Sequence, residues 1–130
     1  MLKITKKTEY ALIAIRHIED NNQLVSSKEI ANKYSIPKEL MAKTLQLMAK
    51  AGYLKAVKGP KGGYKSQISL DKISLREFVE SIEGPLALID CHINDDCAQF
   101  DACNIKEPIK RINNNLLNFL DNISLVEITK

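Results

Sequence analysis

The chain has 130 residues, of which 45% are hydrophobic and 27% are charged, so it is long enough to bury one core without disulfides. No apolar run approaches the roughly 20 residues that span a bilayer, and the N-terminus carries no export signal, so we expect a cytoplasmic protein with no membrane partner. The net charge of +3 conceals a division: residues 1–65 hold 13 Lys and Arg against 5 Asp and Glu, whereas residues 66–130 hold 6 against 11. This asymmetry indicates that only the front half faces a polyanion.

Three helices are predicted in the first half of the chain. Apolar residues recur at helical spacing over residues 6–19, which predicts an amphipathic first helix. Ser26, with Glu29 three residues later, forms a capping box that opens a short second helix. Pro37 suits the first turn of a third helix, and Gly52 is a good stop signal for it. Two short helices around a tight turn are typical of a helix-turn-helix.

A β-hairpin is predicted directly after the third helix. Residues 53–58 and 64–69 have the pattern of short strands, and the glycine-rich residues 59–63 join them. A further helix is predicted over residues 75–83, where a capping serine precedes apolar residues at helical spacing. We therefore predict a mostly α-helical fold with a small β-hairpin wing, in which residues 1–84 form a winged helix-turn-helix domain.

The rest of the chain divides into an irregular segment and a long helix. Residues 85–106 contain all three cysteines and little periodic pattern, so we expect a loop. From Pro108 onward the pattern is strongly helical. Its apolar face consists of Ile109, Ile112, Leu116, Phe119 or Leu120, and Ile123. Such a seam can pair with its own copy, so residues 107–130 are predicted to form a dimerisation helix and a tail; packing back on its own domain is the alternative.

The start of the predicted third helix is the candidate DNA-reading element. In a helix-turn-helix the second helix lies in the major groove, and its N-terminal residues meet the base edges. Here those residues are Lys38, Glu39, Ala42 and Lys43. Lysines attract phosphates, and a carboxylate such as Glu39 accepts a hydrogen bond from a cytosine amino group. The helix dipole alone is an equal reason for a carboxylate at Glu39.

The predicted wing is basic as well as glycine-rich. Its candidate DNA contacts are Lys55, Lys58, Gly59, Lys61 and Lys65. Small basic loops follow the phosphate backbone or enter the minor groove, so these residues should add affinity more than specificity. The glycines lack the GxxxxGK[ST] spacing and precede a strand, which excludes a nucleotide-binding loop.

The three cysteines indicate metal or redox chemistry. Cys91, Cys97 and Cys103 are separated by five residues each, a spacing that suits neither a zinc knuckle nor a CxxC redox pair. Three thiolates on one loop can ligate several irons of a single cluster, with a fourth ligand from elsewhere. An iron–sulfur cluster, a zinc ion, and inert or redox-reactive thiols all remain open on this spacing.

Several segments resemble the IscR/NsrR/CymR family of winged-helix transcription regulators. They are residues 36–41 (IPKELM), 49–54 (AKAGYL), 57–64 (VKGPKGGY) and 119–125 (FLDNISL). Together with the cysteine spacing, they make the chain similar to the cluster-binding members. The resemblance implies a homodimer that binds a pseudo-palindromic site in double-stranded DNA, with the C-terminal helices crossing at the dimer interface. It also implies an iron–sulfur cluster, of the 2Fe-2S or 4Fe-4S type, on the three cysteines.

The fourth cluster ligand is the point at which this resemblance divides. In IscR-like members a histidine three residues after the third cysteine fills the role, but Lys106 stands there, and a protonated lysine cannot donate to iron. In NsrR-like members the ligand is an acidic residue of the partner's first helix, and the matching residue is Glu9. Loss of the cluster would then release the first helix and shift the DNA-binding halves. The other candidates are His92, Asp95, Asp96 and Glu107.

The sequence therefore predicts a transcription regulator, and specifically a repressor, whose DNA affinity depends on the cluster. The effector would be nitric oxide, redox state or the supply of clusters. A cluster-free regulator of the same family, controlled by thiol oxidation or by a protein partner, is the alternative. An enzyme or a small iron–sulfur electron carrier is disfavoured, because His17 and His92 have no metal or triad spacing and a carrier has no use for a basic wing.

Overall fold

The computed structural model describes residues 3–88, 98–99 and 101–130. The described residues form α1 (Lys6–Glu19), α2 (Ser27–Tyr34), α3 (Lys38–Lys50), β1 (Leu54–Val57), β2 (Gly63–Ser66), α4 (Leu75–Glu83) and α5 (Lys106–Asp121), with short 3-10 helices at Leu70–Lys72 and Leu125–Thr129. The predicted mostly α-helical fold with one β-hairpin is confirmed. Among the described residues, no helix has the length and apolar character needed to cross a membrane.

Serine side chains cap the starts of α2 and α4 at the positions predicted from the sequence. The Ser26 hydroxyl accepts the Glu29 backbone N–H at 3.1 Å at the start of α2. The Ser74 hydroxyl accepts the Glu77 N–H at 3.0 Å at the start of α4. Each cap satisfies a backbone donor that has no partner within its helix, which fixes the first turn.

The turn between α2 and α3 is short because Ser35 adopts a left-handed backbone conformation. Its φ of 55° ends α2 sharply. Pro37, expected in the first turn of the third helix, is instead the residue that caps α3, which begins at Lys38. The turn leaves α2 and α3 packed against each other as a helix-turn-helix.

One hydrophobic core lies beneath α1, α2, α3 and α4. Its fully buried side chains include Ile15, Ile18, Ile30, Met41, Leu45, Met48, Leu54 and Phe78. On α3 the buried residues Met41, Leu45 and Met48 lie on one face, so the opposite face points away from the core. The core therefore decides which side of the helix is free to meet a ligand.

The wing is shorter than predicted and is attached to the helical core. β1 and β2 pair antiparallel over four residues each; β1 lies within the expected residues 53–58, whereas β2 begins at Gly63, one residue before the expected 64–69, and ends at Ser66. Beyond the paired residues, the Gln67 N–H donates to the Tyr53 carbonyl at 3.0 Å. Val25 and Tyr64 exchange two backbone hydrogen bonds, of 3.0 and 2.8 Å, which join the wing to the segment between α1 and α2.

The C-terminal helix packs on α4, and the tail after it folds back onto the core. α5 begins at Lys106, earlier than the expected Pro108, and ends at Asp121. The prediction that Ile123 belongs to this helix is therefore wrong. The Ile123 carbonyl instead accepts the Leu75 N–H at 2.8 Å, and Leu125 donates to the Ile73 carbonyl at 2.8 Å. This long-range pairing cannot be read from helical periodicity. It buries Leu125 completely.

We expect the tail to stabilise the domain. Leu125→Ala should lower the free energy of unfolding by about 2–5 kcal/mol, because it leaves a cavity under the 3-10 helix. Glu127→Ala, at an exposed position of the same short helix, should change it by less than about 0.5 kcal/mol. Urea unfolding followed by circular dichroism measures both, and equal midpoints for the two variants would show that the tail only rests on the surface.

Candidate DNA interface and cysteine segment

The outer face of α3 carries charged and polar side chains. Lys38, Glu39 and Lys43 are exposed, as expected for residues that reach DNA. Ala42 is half-buried and lies on the flank between the inner and outer faces. Because a helix repeats every 3.6 residues, Glu39 and Lys43 share their face with two further exposed residues, Gln46 and Lys50.

Three exposed residues of α3 were missed in the sequence analysis. Gln46 and Lys50 follow from the helical spacing of Glu39 and Lys43, so their position could have been predicted. Leu40 has no such signal, because an apolar residue in a first turn suggests burial. Its exposed fraction is 49%, since the neighbouring Met41 takes the place against the core.

The wing brings positive charges together on paired strands. Lys55 and Lys65 lie directly opposite each other in the β1–β2 register, and both are exposed. Like charges at opposed positions repel in the free protein, and a phosphate between them would remove that repulsion. Lys58, Gly59 and Lys61 are exposed in the connection. Gly59 has a φ of 113°, which favours glycine there.

The base of the wing is fixed to α4 through a buried tyrosine. The Tyr53 ring packs against Phe78, with 5.3 Å between ring centroids, and its hydroxyl donates to the Glu77 carbonyl at 3.4 Å. Burial raises the pKa of the Tyr53 hydroxyl above its ordinary value, so the group stays neutral at physiological pH. The wing therefore leaves the core from a rigid anchor.

The proposed cluster ligands are only partly within the described residues. Cys103 is half-buried with a free thiol, whereas Cys91 and Cys97 lie outside the described residues. Glu9 lies in the first turn of α1, 40% exposed, with Lys6 Nζ 3.4 Å from its carboxylate. Within residues 3–88, 98–99 and 101–130, no three His, Cys, Asp or Glu side chains gather closely enough to hold a metal ion.

The other residues considered as a fourth ligand are placed as follows. Glu107 is exposed in the first turn of α5, directly after Lys106. His92, Asp95 and Asp96 lie outside the described residues. The donor types of the three thiols and the Glu9 carboxylate fit an iron–sulfur cluster, since thiolates bind it firmly and a hard oxygen ligand more weakly.

Comparison with known proteins gives the family of the chain. The profile of the Rrf2 family, described as iron-dependent transcriptional regulators, matches residues 4–130. The chain belongs to the Rrf2 family. The family is described as one of transcriptional regulators, and the match confirms the resemblance found in the sequence.

Relatives of this Rrf2 protein match it along nearly its whole length. The transcriptional regulator NsrR of Bacillus licheniformis is 27% identical over 131 residues, which cover 98% of this chain and 92% of that protein. The structure of CymR, the global cysteine regulator of B. subtilis, is similar with a TM-score of 0.76 and 23% identity, and covers 99% of this chain and 97% of that chain. The structure of T. potens IscR has a TM-score of 0.73 and 23% identity, with 98% and 85% covered. The fold is therefore a winged helix of the Rrf2 type.

Removal of one charge from the opposed lysine pair should weaken DNA binding without lowering the free energy of unfolding. Lys65→Ala should weaken binding to duplex DNA and reduce the slope of log affinity against log salt by about 1. The free energy of unfolding should stay the same or rise by about 0.2–1 kcal/mol, because the repulsion with Lys55 is gone. Fluorescence anisotropy at several salt concentrations, with urea unfolding in parallel, measures both effects.

The control for this charge is Lys72→Ala, in the 3-10 helix Leu70–Lys72 that follows the wing. It removes an exposed positive charge outside the paired strands. Its salt slope should equal that of the unmodified protein. If both variants lowered the salt slope alike, Lys65 would affect DNA binding only through the net charge of the protein, and a direct phosphate contact by the wing would be contradicted.

Proposed function

We propose that this Rrf2 protein is a dimeric repressor whose affinity for DNA is controlled by an iron–sulfur cluster. The observation that carries the proposal is the combination of an exposed polar face on α3 and a lysine-rich wing, in residues 1–65, with three closely spaced cysteines further along the chain. The iron-dependent description of the family supports the same combination.

The DNA-binding surface combines base reading with attraction to phosphates. The outer face of α3 enters the major groove, where Glu39 accepts from a cytosine amino group and Leu40 packs on a thymine methyl group. The wing lysines, with Lys55 and Lys65 opposed, hold the backbone on either side of the minor groove. Support comes from the exposure of these side chains and the excess of 13 basic over 5 acidic residues in residues 1–65.

The proposed dimer forms through the outer side of α5. Ile112 and Phe119 are 54% and 55% exposed, and their seven-residue spacing places them on one stripe of the helix. Beside this helix, a cavity of about 470 Å³ runs between the start of α1, α4 and α5. It is lined mainly by apolar side chains, among them Leu12, Val79, Leu116, Leu117, Leu120 and Ile128. A second copy of the chain would cover the exposed stripe of α5 and the mouth of the cavity beside it. The resulting dimer would present two DNA-binding halves to a pseudo-palindromic site.

The proposed sensor is formed by Cys91, Cys97 and Cys103 of one subunit and Glu9 of the other. When bound, the cluster supplies redox-active iron to the dimer interface. The cysteines would hold it as thiolates and the Glu9 carboxylate as a weaker ligand, which suits a cluster that reacts with a small molecule such as nitric oxide. The exposed Lys6 contact of Glu9 is weak, so this carboxylate is free to change partner. Its release would loosen α1 and alter the spacing of the DNA-binding halves.

A cluster-free thiol switch is the second candidate function. Similarity to CymR, a cysteine regulator with a structure of an oxidised form from Staphylococcus aureus, favours it. The free, half-buried thiol of Cys103 could undergo the required oxidation. The two candidates differ in whether iron and sulfide accompany the purified protein.

Purification without oxygen should distinguish these two functions. We expect coloured protein with bound iron and sulfide, and a loss of DNA affinity after treatment with nitric oxide. Cys103→Ser should remove the iron and sulfide, and Glu9→Gln should speed cluster loss. Glu19→Gln, at the other end of α1, should change neither. Colourless, iron-free protein that binds DNA only when its thiols are reduced would contradict the cluster and favour the thiol switch.

The dimer should depend on the exposed stripe of α5. Phe119→Glu should weaken self-association at least tenfold, since it places a charge in an apolar interface. Asn114→Glu is the matched control, because that exposed side chain lies on the opposite flank of the helix. Analytical ultracentrifugation measures both variants, and an unmodified protein that sediments as a monomer would contradict the dimer.

A further inference from the structure

His17 is a buried polar residue of α1 that contacts both ends of α2. Its exposed fraction is 6%. Ring atom Nε2 lies 3.0 Å from Glu29 Oε2, in the first turn of α2, and Nδ1 lies 2.9 Å from the hydroxyl of Tyr34, the last residue of α2. One side chain thus contacts α2 both in its first turn and at its last residue.

The chemistry of the three side chains makes this contact fully satisfied. In the neutral tautomer with hydrogen on Nε2, His17 donates to the Glu29 carboxylate and accepts from the Tyr34 hydroxyl. The Tyr34 ring also meets the His17 ring edge-on, with centroids 5.4 Å apart and an interplanar angle of 85°. The Asn21 amide donates to the His17 carbonyl at 2.6 Å and holds the chain as it leaves α1. These contacts fix position and angle together.

A requirement for packing alone would not need a histidine at this position. Ala14 and Ile18, on the same buried side of α1, fill the neighbouring space with apolar contacts. Such contacts are non-directional, whereas hydrogen bonds weaken steeply when their angles change and so add a restriction on angle to the packing. Two directional bonds at opposite ends of an eight-residue helix therefore restrict its rotation and its translation along α1.

The orientation of α2 controls where α3 begins. α2 ends at Tyr34, and a tight left-handed turn at Ser35 leads to the start of α3 at Lys38. The last residue of α2, which His17 holds, is thus only a few residues from the DNA-reading Glu39. A shift of α2 would displace the first turn of α3, which contains the residues that reach the base edges.

From this geometry we infer that His17 is a positioning residue for DNA recognition. It holds α2 through Glu29 and Tyr34, so that the start of α3 is already in place before DNA binds. This inference rests on the proposed DNA-binding function. It also gives a route for regulation, since Glu9 and His17 lie on the same helix, and a movement of α1 at Glu9 would be passed to α2 through the His17 contacts.

The test uses the full-length protein and DNA that it selects itself. A randomised duplex library first yields a preferred sequence, and a scrambled duplex of equal length serves as the non-specific probe. His17→Phe keeps a ring but removes both hydrogen bonds, and Tyr34→Phe removes only the hydroxyl. At 15 °C, we expect about tenfold and threefold weaker binding to the preferred duplex, respectively, and unchanged binding to the scrambled duplex. The double variant should be no weaker than His17→Phe alone, because both changes break the same contact.

Leu125→Ala is the control for stability. It weakens the same core from the tail after α5 and should bind both duplexes as the unmodified protein does. A His17→Phe variant that is less stable but binds the preferred duplex normally would overturn the inference, as would equal loss on both duplexes. If His17→Phe does not fold, Tyr34→Phe carries the test, because its ring is partly exposed and its loss of one hydroxyl leaves packing intact. Failure of the unmodified protein to enrich any sequence would instead contradict the proposed DNA-binding function.

Discussion

The burial of one face of α3 is the constraint on which the rest of the molecule depends. Met41, Leu45 and Met48 are fully buried among side chains of α1, α2 and α4, so the helix cannot rotate without exposing them. Burial of three such side chains contributes several kcal/mol, at about 1.5–3 kcal/mol each. That packing, and not any contact with a ligand, fixes the outward direction of Glu39 and Lys43. The reading surface is thus a consequence of the core beneath it.

The sequence predicts elements well where the decisive interactions are local. Capping serines and helical spacing correctly place α1, α2 and α4, because each helix start involves residues only three positions apart. The position of Ile123 outside α5 could not be predicted in this way, since its carbonyl accepts a hydrogen bond from Leu75, far back along the chain. Local patterns carry no information about such partners.

The same distinction applies to the candidate sites. The basic residues of the wing are evident from composition, but the opposition of Lys55 and Lys65 depends on the strand register. His17 has no metal or triad spacing in the sequence, and the structure buries it. Its two partners on α2 could not be predicted, because helical periodicity does not give the angle between helices. The cysteine spacing leaves a cluster, a zinc ion and redox-reactive thiols open, and a ligand from another subunit would leave no trace in that spacing.

The attachment of the wing has a consequence for how this protein can change during evolution. Val25 holds Tyr64 through backbone atoms alone, and a Cβ at Gly63 would lie 2.7 Å from the Val25 carbonyl oxygen. The position of the hairpin therefore demands glycine at Gly63, and its connection demands glycine at Gly62, where a Cβ would lie 2.1 Å from the Val57 carbonyl oxygen. Mutations of the exposed lysines can alter the charge of the hairpin without moving its base. The wing can thus change its affinity for DNA during evolution while the fold beneath it is kept.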